Sequence, residues 1–191
     1  MAVSSEETAL EPTWVEELGP ESGFLRWPLY ITGFSRMSLA AAILEKAKSK
    51  GAMIATAESC TGGMVAAALT DIAGSSAVVD RGFVTYSNAA KMAMLGVKSE
   101  TLDRVGAVSE EVALEMAQGA LKHSDATLAV STTGIAGPGG SEHKPEGRVC
   151  FACLAHDFQS VETVEFGALD RAEVRTAARD YALAMLDKAL S

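Results

Sequence analysis

Basic charge, aromatic residues and cysteine are all scarce in this chain, and no apolar run is long. Over 191 residues, Lys and Arg number 16 against 25 Asp and Glu, for a formal net charge of -9. Binding to a phosphate backbone rests on clustered Lys and Arg, so no nucleic-acid partner is expected. No segment approaches the roughly 20 apolar residues of a membrane-spanning helix, and residues 1–36 lack the basic-then-apolar layout of a secretion signal. A soluble cytoplasmic protein with no membrane partner is therefore expected. Three cysteines, Cys60, Cys150 and Cys153, are too few for a disulfide-stapled scaffold and fit a reducing compartment. The spacing of "CFAC" at 150–153 is that of a redox or zinc motif, but it lies in an apolar run that reads as a strand. Residues three apart on a strand point to opposite faces, so the two thiols would not converge on a metal. His123, His143 and His156 show no ligand spacing either, and neither metal nor cofactor is expected.

What is present is 48% hydrophobic residues, enough for one substantial core and a single domain. Residues 1–36 stand apart. They hold both tryptophans, three of the five prolines, and six acidic residues against two arginines, with no sustained periodicity. They read as a loosely ordered extension preceding a domain over 37–191, with Met37 a candidate start.

From Ser38 the pattern is regular. "SLAAAILEKAKSKG" predicts a helix capped by Ser38 and closed by Gly51. "AMIATA" has strand length, and "MVAAALTDIAG" predicts a helix ending at Gly74. "RGFVTYSN" alternates as a strand does, with Asn88 placed to cap a helix over "AAKMAML". Ser109 is placed to cap "EEVALEMAQGALKH", where Glu110 and Glu111 suit the positive end of the helix dipole. "ATLAVSTTG" predicts a strand running into the glycine-rich "GIAGPGGSEHKPEG". Two strands follow, "RVCFACLA" and "SVETVEF", joined by a turn at residues 156–159. Asp170 with Glu173 makes a capping box for the last helix. Strands alternating with helices, then a hairpin, predict an α/β fold: one mixed β-sheet covered by helices on both faces, in three α/β/α layers.

In such sheets the ligand crevice lies beyond the carboxyl ends of strands. Three loops qualify: "ESCTGG", "TYSNAAK" and "TTGIAGPGG". The first puts Ser59 beside Cys60 at a strand-to-helix bend, where backbone N–H groups of the helix N-terminus could hold an oxyanion. It reads either as a nucleophile on a bend or as Ser59 and Thr61 capping a helix. A nucleophilic serine needs a base, and no histidine stands in these loops. Lys91 is the candidate, since the first turn of a helix and partial burial both lower a lysine pKa. Tyr86 could relay a proton or orient the lysine. The alternative leaves Lys91 solvated and Tyr86 packed by its ring. The third loop, with Gly134, Gly137, Gly139 and Gly140, reads as an anion cradle or as a plain surface turn. It matches neither the P-loop nor the dinucleotide fingerprint.

Taken together, "TAESCTGG", "FVTYSNAAK", "LGV", "GAVSEEVALEMAQGA", "TGIAGPGG" and "KPEGRV" resemble, in order and spacing, the C-terminal domain family of the competence/damage-inducible protein CinA. The resemblance covers roughly residues 40–150 and weakens over the final strand and helix. It implies an amide hydrolase that converts nicotinamide mononucleotide and water to nicotinic acid mononucleotide and ammonia, a step of pyridine-nucleotide recycling. Under it, Ser59 resembles the nucleophile, Lys91 the general base and Tyr86 a supporting residue. Substrate contacts are implied for Cys60, Thr61, Gly62 and Gly63 in the first loop and for Asn88 in the second. Thr133, Gly134, Gly137, Gly139 and Gly140 follow in the third, with Arg171 from the last helix. Two positions depart from the family pattern: Glu146 stands where a small apolar residue is usual, and Leu169 where a glycine precedes Asp-Arg. The implied partner is a small nucleotide, and a homo-oligomer is left open. A serine–lysine amidase acting on another small amide, or a catalytically silent nucleotide-binding module, are the alternatives.

Overall fold

The computed structural model describes residues 38–141 and 143–191. The proposed extension over 1–36 and the candidate start at Met37 lie outside the described residues.

Small apolar residues with sharp stop signals make the first helix, α1 (Leu39–Lys50). Ser38 Oγ accepts from the Ala41 N–H, and Gly51 closes the helix in the left-handed region at φ 62°. Strand β1 (Ile54–Glu58) follows, and then α2 (Met64–Thr70) and a short 3-10 helix (Ser75–Ala77). Helix α2 stops at Thr70 rather than at Gly74, because Gly74 instead opens that 3-10 turn with φ 84°. Strand β2 (Val79–Val84) leads to α3 (Asn88–Leu95) and then to α4 (Ser99–Val105). The sequence reading did not include α4, which has no side-chain cap and only seven residues. Helix α5 (Glu110–Lys122) is capped by Ser109 as expected. Strands β3 (Leu128–Gly134), β4 (Arg148–Ala155) and β5 (Phe158–Glu165) precede α6 (Arg171–Ala189). Asp170 caps α6 from the expected position, its carboxylate accepting from the Glu173 N–H. The hairpin turn is shorter than expected, since β5 already begins at Phe158.

The five strands form one mixed sheet in the order β2-β1-β3-β4-β5, with β1 parallel to both β2 and β3 and the other pairs antiparallel. One face packs Ile54, Leu128, Val130, Phe151 and Cys153 against α1, α2 and α6. The other carries Ala55, Ala57, Ala129 and, further along, Cys150 and Ala152 against α5. This is the three-layer arrangement expected. Cys150 and Cys153 lie on opposite faces, as strand alternation requires.

The small residues under α5 let it approach the sheet, and Gly119 lets α3 approach α5. A Cβ at Gly119 would fall 2.0 Å from the Leu95 carbonyl oxygen. That close packing fixes the end of α3, and with it the position of Lys91.

Candidate active site

Strands β1, β2 and β3 run parallel or nearly so into one end of the sheet, and the chain leaves them toward opposite faces: β1 into α2, β2 into α3. A crevice opens where they part. It is a cavity of about 220 Å3 lined by Ser59, Cys60, Tyr86, Asn88, Lys91, Ala107, Val108, Thr133, Gly134, Ala136 and Arg171.

Ser59 follows the last residue of β1 and is tied to β3 by its N–H, which donates to the Thr132 carbonyl at 2.9 Å. Lys91 reaches it from α3: Nζ lies 2.9 Å from Ser59 Oγ and 2.9 Å from the Thr85 carbonyl oxygen. The lysine is 1% exposed, and the serine 8%. Among the described residues no carboxylate forms an ion pair with Lys91. Burial pushes the Lys91 pKa below its ordinary value, with the nearby Cys60 thiol a smaller opposing influence. A buried ammonium without a carboxylate is costly, and the same burial makes the neutral amine easier to reach. In that form the Ser59 hydroxyl donates to Nζ, and Nζ keeps an N–H for the Thr85 carbonyl. The pair places an amine in contact with a serine hydroxyl.

Cys60 is the other nucleophile of the turn by residue type, but not by environment. Its side chain belongs to the core cluster under α1, α2 and α6, and burial pushes the thiol pKa up to about 11. It stays protonated at neutral pH, while its edge lines the cavity.

Several expectations need correction. Ser87, not Asn88, caps α3: the short Ser87 hydroxyl accepts from the Ala90 N–H at 3.1 Å, and Asn88 becomes the first helical residue. Lys91 still falls at the end of the first turn. Neither Ser59 nor Thr61 caps α2, whose first N–H groups are not free for an oxyanion either. Glu58 takes them. Its carboxylate accepts from the N–H groups of Gly63, Val65 and Ala66 at 2.8–3.1 Å and from the hydroxyls of Thr56 and Thr61. The side chain is 1% exposed, and its five donors hold it in place. Tyr86 lines the cavity without a hydrogen bond to Lys91, whose Nζ donates to the Thr85 carbonyl. Tyr86 is 61% exposed, and its hydroxyl accepts from Arg171 at 2.6 Å.

Of the implied substrate contacts, Cys60, Asn88, Thr133, Gly134 and Arg171 line the cavity. Thr133 is engaged already, donating to the Ala107 carbonyl at 2.8 Å. Thr61 is fully buried against Glu58 and Thr132, and Gly62 and Gly63 form the bend with φ 62° and 98°. Gly137, Gly139 and Gly140 lie outside the lining, though Arg171 donates to the Gly137 carbonyl at 2.7 Å.

Sequence reasoning missed two charged residues here. Glu58 had a signal: a single carboxylate ends an apolar strand just before a glycine turn and a helix start. Arg175 had one too, four residues after Arg171 and so on the same helical face. Its guanidinium donates to the carbonyls of Cys60 and Thr61 at 3.1 and 3.0 Å. Among the described residues, no three His, Cys, Asp or Glu side chains are grouped to hold a metal ion, and no helix is long and apolar enough to cross a membrane.

Residues 36–190 match the family model of the CinA C-terminal domain. The chain belongs to that family. This CinA C-terminal domain is 52% identical over 157 residues to the nicotinamide-nucleotide amidohydrolase PncC of Escherichia coli (strain K12), covering 82% of this chain and 95% of that relative. A putative competence-damage inducible protein of Caldicellulosiruptor saccharolyticus is 47% identical over 163 residues, which are 84% of this chain but 39% of that longer protein. Among solved structures, the competence/damage inducible protein CihA of Agrobacterium tumefaciens aligns with a TM-score of 0.77 at 54% identity, covering 80% of this chain and 93% of that one. The CinA C-terminal domain fold thus carries the site at the strand ends where the three motif loops meet.

Proposed function

We infer that this chain is a nicotinamide-nucleotide amidohydrolase, hydrolysing nicotinamide mononucleotide to nicotinic acid mononucleotide and ammonia. The relative so named matches along nearly its whole length, and the contact that supports the chemistry is Ser59 Oγ against a buried, unpaired Lys91 Nζ at 2.9 Å.

In the mechanism we propose, neutral Lys91 takes the Ser59 proton as Oγ attacks the carboxamide carbon, giving a tetrahedral oxyanion. Collapse breaks the C–N bond. The Lys91 ammonium returns its proton to the departing nitrogen, which leaves as ammonia, and Ser59 holds the acyl group as an ester. Water then attacks that ester with Lys91 again as base; the acyl C–O bond breaks as Lys91 returns the proton to Ser59 Oγ, and the acid leaves as its carboxylate after giving a proton to solvent. The Thr85 carbonyl holds Nζ in line through both half-reactions. Arg171 and Tyr86, at the cavity mouth, supply a cation and a phenol suited to the phosphate end of a mononucleotide. The three cysteines are unpaired and buried, which supports a reducing, cytoplasmic setting.

The test is ammonia release from nicotinamide mononucleotide and from free nicotinamide, each at matched concentration. Turnover of the nucleotide well above that of the free amide is expected. Equal turnover of both would leave a serine–lysine amidase without nucleotide selectivity, and turnover of neither would overturn the reading.

A further inference from the structure

The turn that carries Ser59 is gripped by a group with no part in the proton transfers. Arg175, half-buried on α6, sends Nε to the Cys60 carbonyl and a terminal nitrogen to the Thr61 carbonyl. Among the described residues it makes no ion pair with a carboxylate. A half-buried guanidinium that serves two backbone carbonyls, rather than an acid, is unusual in its economy: both carbonyls belong to consecutive peptides of one turn. A Cβ at Gly62 would sit 3.3 Å from its terminal nitrogen, so the fit there is close.

Those two peptides control the nucleophile. In a trans peptide the carbonyl and the following N–H point opposite ways. Holding the Thr61 oxygen therefore aims the Gly62 N–H, which closes the turn on the Ser59 carbonyl at 3.1 Å. Holding the Cys60 oxygen aims the Thr61 N–H. The N–H groups of Cys60 and Thr61 are directed at the Cys60 thiol, within the same turn. A cation on the Cys60 carbonyl also polarises that peptide and strengthens its N–H as a donor to developing negative charge.

We propose that Arg175 is a positioning residue for the hydrolysis: by holding the Cys60 and Thr61 carbonyls it sets the peptide planes of the nucleophile turn, and with them the attack geometry of Ser59. The inference rests on the amidohydrolase reading above. Displacement of a reacting atom by about 1 Å costs on the order of a hundredfold in rate, which sets the scale.

The experiment compares wild type with Arg175→Ala and Arg175→Lys, measuring kcat and KM for nicotinamide mononucleotide, the pH midpoint of kcat, and melting temperature. For Arg175→Ala, kcat should fall roughly tenfold to a hundredfold, with KM within about twofold and the pH midpoint unmoved, since Lys91 is untouched. Free guanidinium ion at millimolar concentration should restore part of that kcat and should not stimulate wild type. Arg175→Lys, which keeps the charge but reaches one carbonyl at best, should fall between the two and serves alone if the alanine variant does not fold. A folded variant with unchanged kcat, or one whose KM rises at constant kcat, would overturn the positioning role. Labelling of Ser59 by a small fluorophosphonate keeps the two readings separable: if wild type releases no ammonia, the amidohydrolase reading fails, while a labelling rate equal in wild type and variant would still overturn the role of Arg175.

Discussion

The turn after β1 is held by a fully buried carboxylate and a half-buried guanidinium, whereas the loop after β3 is held by half-buried and exposed charges. Glu58 grips the first turn from within through five donors, and Arg175 holds it from the α6 side. Over residues 135–147, Glu146 accepts from the exposed Gly139 N–H, Lys144 donates to the carbonyls of Val105 and Val108, and Arg171 holds the Gly137 carbonyl. Both segments reach the same cavity. A reacting atom tolerates little displacement, while a substrate-contacting loop must let a ligand in and out. The buried grip falls on the segment with the nucleophile, and the surface grip on the segment proposed to meet the nucleotide.

The largest effect expected is at the reacting pair. Ser59→Ala and Lys91→Ala should each remove most turnover, on the order of a thousandfold or more, and the double variant should be little worse than either. Independent losses would multiply and would separate the pair. Because burial lowers the Lys91 pKa, the base form is present above that depressed value and lost as pH falls through it. The kcat profile should therefore rise with pH through a midpoint below the ~10.4 of a free lysine. Lys91→Arg should not rescue activity, as a guanidinium stays protonated. A flat acid limb would show that a titrating lysine is not the base.

Next in size is Glu58. Glu58→Ala strands three N–H groups and two hydroxyls; at about 1–3 kcal/mol for each unsatisfied group, part of it relieved by entering water, a loss of about 3 kcal/mol or more is expected. Denaturant unfolding would measure it. Glu58→Gln should lose less, because the amide oxygen still accepts from part of the set. If Glu58→Ala melted like wild type, the buried grip on the turn would be no stronger than the surface one.

The strands, five of the six helices and the three loops at one sheet end were legible because periodicity, capping residues and glycines are local signals. Ser38, Ser109 and Asp170 announced their caps; Ser87 was overlooked because the adjacent Asn88 is an equally good cap by residue type. The missed α4 has no side-chain cap. In the site, Ser59 and Lys91 were legible as residue types on neighbouring loops, but their contact depends on β2 lying beside β1. The oxyanion reading of the α2 N-terminus failed for a similar reason. Alternation along β1 puts Glu58 on the α2 face with Ile54, and only then does its carboxylate lie under those N–H groups. Arg175 comes from the far end of the chain, and no local pattern ties it to residues 60 and 61.

The smallest effect should come from the surface-held loop, at Glu146. Glu146 accepts from the Gly139 N–H at 2.6 Å, and its carboxylate also packs against Gly137, where a Cβ would meet it at 2.0 Å. Glu146→Val removes one tie among several, since Arg171 and Lys144 keep theirs. One such hydrogen bond near the surface is worth about 1 kcal/mol, or roughly fivefold in an equilibrium. It should appear as looser substrate binding, with KM for nicotinamide mononucleotide rising by about fivefold or less. The rise should be partly offset, because the lost carboxylate no longer opposes an anionic substrate, and that offset should fade at high salt. Since no contact of Ser59 or Lys91 changes, kcat and its pH midpoint should stay at wild-type values. A fall in kcat comparable to that of the Glu58 variants would mean that the glycine loop holds the reacting geometry too, and the contrast between the two segments would not stand.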